Sequence, residues 1–160
     1  MKKIFGLVVM AMSMLFTANA MASTGVESVD AVTSTADYDG DYDGVISNVT
    51  MNGKSYSNED ATFTIESNVL ICDFPQIGKM PGTITVELPI SINEATGEIT
   101  ATPGTSAGFL TLKVGGEAPL YLDSLTNAKV ENGTLEFDMA VHGTYLSIIK
   151  FPASFHFKGT

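Results

Sequence analysis

The 160-residue sequence contains no arginine and only one cysteine, Cys72, and both scarcities exclude whole classes of protein. Its few lysines face 18 acidic residues, for a net charge of −10. Nucleic-acid phosphates and anionic lipid surfaces need a cationic partner that such a chain does not offer. Acidity of this kind serves solubility. A single cysteine forms no internal disulfide, so the fold must rest on its core. Cys72 sits in the apolar stretch NVLICDF, whose neighbours raise a thiol pKa, and it reads as a buried structural thiol. Catalytic signatures are equally scarce. The two histidines, His142 and His156, have no further cysteine or histidine at metal-ligand spacing. No Gly-x-Ser-x-Gly elbow occurs, and the acids are scattered over turns and outward strand positions rather than paired. The chain is therefore expected to be no enzyme and to carry no metal and no cofactor.

The N-terminus has the three parts of a secretory signal peptide. Lys2 and Lys3 precede the apolar run IFGLVVMAMSMLF, and small residues then offer two cleavage frames, Ala18-Asn19-Ala20 and Ala20-Met21-Ala22. Residues 1–22 are expected to be that signal peptide. The product would reside in the periplasm, on the cell surface or in the medium. No second apolar stretch of spanning length follows, so no membrane span is expected once the peptide is removed. Residues 23–37, small, polar and aperiodic, read as a flexible leader, and residues 38–160 as one domain.

From Tyr38 onward the chain is built of short alternating segments. In TITVELPISI, Ile84, Val86, Leu88, Ile90 and Ile92 alternate with polar residues, which predicts a strand with one buried face. Pro89 falls on the outward set and predicts an edge or a bulge. The pattern recurs with Phe63 and Ile65, with Leu110, Leu112 and Val114, and with Leu135, Phe137, Met139 and Val141. In YLSIIKFPASFHFK the parity changes between Ile148 and Ile149, predicting a β-bulge there. Asn52-Gly53 and Asn132-Gly133 suit two-residue hairpins. Ser67-Asn68, Gly78 to Gly82, Asn93 to Gly97, Pro103 to Gly108, Gly115-Gly116 and His142-Gly143 mark further reversals. The expected fold is all-β: an antiparallel up-and-down barrel of about eight strands, with a sandwich as the competitor.

One stretch suggests something else. In DGDYDGVISNVT, Asp39, Asp41, Asp43, Gly44 and Ile46 occupy positions of an EF-hand loop, but Thr50 stands where the bidentate glutamate belongs. The flanks are β-branched and turn residues rather than helix formers. A strand start is the expected reading, with a weak surface calcium site of two or three aspartates as the alternative.

Three stretches, YDGDYDGVISNVTMNGK, FPQIGKMPGTITVELPISINEATGEIT and VENGTLEFDMAVHGTYLSIIKFPASFHF, resemble the bacterial calycin-like β-barrel domain of small secreted proteins. Tyr38, Gly40, Tyr42 and Gly44 match its Tyr-x-Gly-x-Tyr-x-Gly opening, Gly78 to Gly82 matches its loop before a strong strand, and the resemblance covers residues 38–158. It implies a lipocalin-like barrel, and the wider calycin group holds small apolar molecules inside. The chain has no tryptophan, so the Gly-x-Trp signature of true lipocalins is missing. On this reading Ile84, Val86, Leu88, Ile90, Leu110, Leu112, Phe137, Met139, Tyr145 and Phe155 line the interior, together with Phe157. Either they enclose a small apolar ligand, with Tyr121 or Tyr145 as a polar handle, or they fill the barrel. A filled barrel would make the chain a structural or protein-interaction domain of the cell envelope, acting through outward residues such as Phe109 and Tyr56.

Overall fold

The structure is a computed structural model that describes residues 37–78, 82–113, 115–145 and 149–160; Tyr145 and Ile149 are described by their backbone. The expected signal peptide and the leader up to residue 36 lie outside the described residues, as does Val114.

The strands are β1 (Gly40–Met51), β2 (Lys54–Ser55), β3 (Glu59–Glu66), β4 (Val69–Phe74), β5 (Gly82–Pro89), β6 (Ser91–Ile92), β7 (Ile99–Thr100), β8 (Ser106–Leu112), β9 (Glu117–Glu131), β10 (Thr134–Tyr145) and β11 (Ile149–Gly159). Eight of them form an antiparallel wall in the order β1-β3-β4-β5-β8-β9-β10-β11, and β11 pairs back with β1. The wall is therefore a closed up-and-down barrel, not a sandwich, and β2 is one extra strand beside β1. Closure leaves the wall without a free outer edge.

The turns obey the expected chemistry. Asn52 (φ 50°) with Gly53 (φ 72°), and Asn132 (φ 53°) with Gly133 (φ 75°), form two-residue hairpins with both central residues in the left-handed region. Ser67 and Asn68 do the same between β3 and β4. Pro89 is exposed and ends β5, where its missing N–H costs nothing.

Three expectations are corrected. The parity change at Ile148-Ile149 is a strand change and not a bulge: β10 ends at Tyr145, which pairs with Ile149 at the start of β11, and Ile148 lies outside the described residues. His142-Gly143 is not a reversal but lies inside β10. Gly143 is there because Phe151 on the neighbouring strand lays its ring over that position, and a Cβ would overlap it. Gly108, likewise, belongs to β8, at one of the register shifts that bend the wall. Further shifts fall between Ser47 and Thr50 and twice between β9 and β10.

Alternation sends Tyr42, Ile46, Phe63, Ile65, Leu70, Leu88, Leu122, Leu135, Phe137, Met139 and Phe157 into one buried core. Phe63 meets Phe137 edge-on at 5.1 Å between ring centres and Phe157 at 4.6 Å, while Phe155 touches Phe74 at 4.9 Å. Such contacts add to plain burial when the rings meet edge-on or tilted. The β6–β7 hairpin crosses the end where β1 begins. Tyr42 Oη donates to the Tyr38 carbonyl at 2.8 Å, Tyr38 Oη to the Glu94 carbonyl at 3.0 Å, and Val130 N–H to the Gly97 carbonyl at 2.9 Å.

The closing pair depends on a glycine. Gly44 lies opposite Gly159, and a Cβ on Gly44 would overlap the Lys158 carbonyl. Gly44→Val should therefore destabilise the barrel by about 1–3 kcal/mol, in the range of an overpacked core site. Thermal unfolding of the variant checks this, and an unchanged midpoint would mean that β1 and β11 do not approach there.

Candidate functional site

The interior is where the sequence places its candidate site, and the structure divides those residues into groups. Ile84, Val86, Met139 and Phe155 converge on one apolar cavity, next to Met51 and Ala153. Leu88, Ile90 and Phe137 are buried in the packed core, with Phe157 beside Phe137. Leu110 is buried opposite Ala118, and Leu112 is half-buried near the end of the wall. Tyr145 contributes a described backbone that pairs with Ile149, and its side chain lies outside the described part.

The cavity measures about 20 Å³. Roughly 10–15 Å³ admits a single water, whereas small-molecule pockets take about 300–1,000 Å³. Its polar equipment is equally sparse. Among the described residues no polar or charged side chain is buried. Tyr121 faces outward, because β9 turns Leu120 and Leu122 inward, and its ring lies 5.6 Å from that of His142. It is no interior handle. The tyrosine that the sequence reading passed over is Tyr42: its ring is buried, its hydroxyl is held by Tyr38, and burial pushes its pKa up. Only its place on the inward parity of β1 could have signalled it.

The polar groups lie on the outside of the wall. His156 Nδ1 is 2.9 Å from Asp138 Oδ1, Asn127 donates to Asp138 at 2.7 Å, and Lys158 donates to Glu136 at 2.8 Å. The Lys158 ammonium holds Glu136 below its usual range, and the Asn127 amide, then His156, does the same for Asp138. His142 has a separate partner in Asp123 at 2.7 Å. The histidines thus sit in two distinct pairs.

The would-be calcium loop is extended strand. Asp41 accepts from Thr64 and Asp43 from Thr62, each at 2.6 Å, and Asp39 accepts from the Ser67 N–H at 3.2 Å. These aspartates brace β1 against β3 and the turn after it. Phe109 is half-buried, and Tyr56, expected to face outward, is half-buried because it packs against the core; Val45, 40% exposed, is the large hydrophobic most open to solvent among the described residues.

A second recess, about 840 Å³, opens on the outer wall over β1, β3 and β4. Asp43, Val45, Asp60, Thr62, Ile71 and Asp73 line it, and Cys72 lies at its inner side. Burial pushes the Cys72 thiol up to about 12, with Asp73 adding to the effect. Sequence periodicity could not reveal this recess, because periodicity reports which way side chains face and not how far two strands stay paired. Comparison with protein families, with curated proteins and with solved structures returns no match.

Two outcomes follow for solution. Glu136 and Asp138 titrate lower in the folded chain, so the unfolded chain takes up protons first on acidification. Their contribution is present above pH ~4.5 and is lost as pH falls through the depressed values. Acid titration followed by circular dichroism should show a shallower loss of stability in Glu136→Gln/Asp138→Asn than in the parent. Cys72 should resist iodoacetamide in the folded protein at pH 8 and react quickly in denaturant, as read by mass spectrometry; equal rates would contradict its burial.

Proposed function

We propose that this chain is an exported, non-catalytic binding module that works through the outside of a filled barrel, as a protein-interaction domain of the cell envelope. One observation carries the reading: among the described residues, the interior cavity on which the candidate side chains converge measures about 20 Å³, and its lining is almost wholly apolar. A barrel of eight strands is just wide enough to be filled by its own side chains, and here phenylalanines take that volume. The polar and acidic groups capable of selecting a partner stand on the outer wall. Export rests on the N-terminal sequence, and the absence of catalysis on the scatter of its acids and histidines.

A second reading is favoured by the convergence of Ile84, Val86, Met139 and Phe155. An apolar ligand could enter beside half-buried Met51, Ile84 and Ala153 if Met139 or Phe155 moved aside. Methionine is adaptable enough for such a shift, but the ring of Phe155 packs against Phe74.

Titration with a fluorescent fatty-acid analogue separates the two readings. The filled-barrel reading expects no saturable binding to the wild-type chain. Phe155→Ala should lose about 3–5 kcal/mol of stability and gain a site for a benzene-sized probe. Stoichiometric binding of the analogue by wild type would favour the interior ligand instead.

A further inference from the structure

The barrel wall has one weak seam. The ladder between β3 and β4 consists of Glu66↔Val69, Ile65↔Leu70 and Thr64↔Ile71, and then stops. Both strands continue past it, β3 paired only with β1 as far as Glu59, and β4 paired only with β5 as far as Phe74. They diverge like the arms of a fork, and the outer recess lies along that fork.

The register shows which backbone groups face the opening. Glu66 and Val69 flank a two-residue hairpin, so they are a hydrogen-bonded pair, and with alternation Thr64↔Ile71 is the next one. Continuing that parity, Thr62 and Asp60 of β3 and Asp73 of β4 direct their N–H and C=O groups into the fork. The β1 side agrees independently. Asp43, which lies opposite Thr62, exchanges its backbone bonds with Thr160 at 3.1 and 3.0 Å, so Thr62 is not bonded to β1. Two short strand edges therefore face each other across a gap within an otherwise closed wall. Unpaired strand edges of this kind receive added strands.

The side chains define the occupant. Asp43, Asp60 and Asp73 are exposed around the opening, interleaved with Thr62 and with apolar Val45 and Ile71, and among the described residues no lysine lines it. The net charge of −10 makes a second copy of this chain a poor guest and steers cationic ones inward. We propose that the gap between β3 and β4 is a docking site for an extended, lysine- or arginine-bearing segment of a partner protein, which adds to the wall as a strand. Its backbone pairs with Thr62, Asp60 and Asp73, its cationic side chains meet the aspartates, and its small apolar ones rest on Val45 and Ile71. This deepens the outer-wall reading and rests on it.

The test is titration of isotope-labelled protein with three short peptides, followed by amide chemical shifts. One alternates lysine with valine and threonine, the second carries glutamate for lysine, and the third is the lysine peptide N-methylated at alternate backbone amides. The lysine peptide is expected to bind saturably, shifting residues 60–64 and 71–73. Methylation should weaken it at least about tenfold, the loss of a few backbone hydrogen bonds. Asp60→Asn/Asp73→Asn should weaken it and flatten its salt dependence, and the glutamate peptide should not bind. Equal binding of parent and methylated peptides would overturn strand addition, as would shifts centred elsewhere on the wall. Absence of peptide binding in a chain that also excludes the apolar probe would sink the docking site alone. Entry of that probe into wild type would sink the outer-wall reading itself.

Discussion

The pairing of the first and last strands holds the architecture together. Until β1 meets β11, the other strands form an open meander whose inward residues have no opposite wall to pack against. The pairing is steric before it is energetic: Gly44 and Gly159 face each other where side chains would collide with backbone. It is also non-local, joining residues from opposite ends of the domain, so its loop-closure cost is recovered only when the core forms. The Tyr-x-Gly-x-Tyr-x-Gly opening has a physical meaning in this light. Its last glycine lets the seam close, Tyr42 enters the core, and Tyr38 ties the strand's start to the β6–β7 hairpin.

Closure then determines what the interior can do. Phe63, Phe137, Phe155 and Phe157 reach the axis from β3, β10 and β11 and meet one another, which leaves little space for a guest. The Tyr42 hydroxyl is already engaged by the Tyr38 carbonyl, and among the described residues no other buried side chain offers a polar group to orient a guest. On the proposed outer-wall reading, selectivity belongs to the wall, and in particular to the acid-lined stretch where β3 and β4 part company. Asp43 belongs to both sets: it braces β1 against Thr62 and, with Asp60 and Asp73, gives the recess its negative charge.

The inward sets were legible from sequence for a definite reason. An antiparallel strand with one wet face imposes period two, and Phe63, Ile65, Val86, Leu88, Leu135, Phe137 and Met139 all follow it into the core. Asparagine-glycine pairs were equally clear, since few other residues accept positive φ twice in succession. Gly143 misled because a glycine under a cross-strand ring has the same letter as a glycine in a turn. The parity change before β11 misled because a slipped strand and a tight reversal produce the same break in alternation. The candidate site was legible in direction but not in volume: parity places Ile84 and Phe155 inward, yet cannot say whether the rings across the barrel touch. The fork was not legible at all, since the extent of a ladder depends on how two strands twist past each other.

Amide hydrogen exchange in the free protein tests the central claim most directly, because it reads pairing residue by residue. A closed, filled barrel with one open seam predicts strong protection for the Asp43 and Thr160 amides at the closure, together with fast exchange at Asp60, Thr62 and Asp73. Fast exchange at Asp43 and Thr160 would mean that the barrel does not close. Protection at Asp60, Thr62 and Asp73 equal to theirs would mean that the wall has no gap.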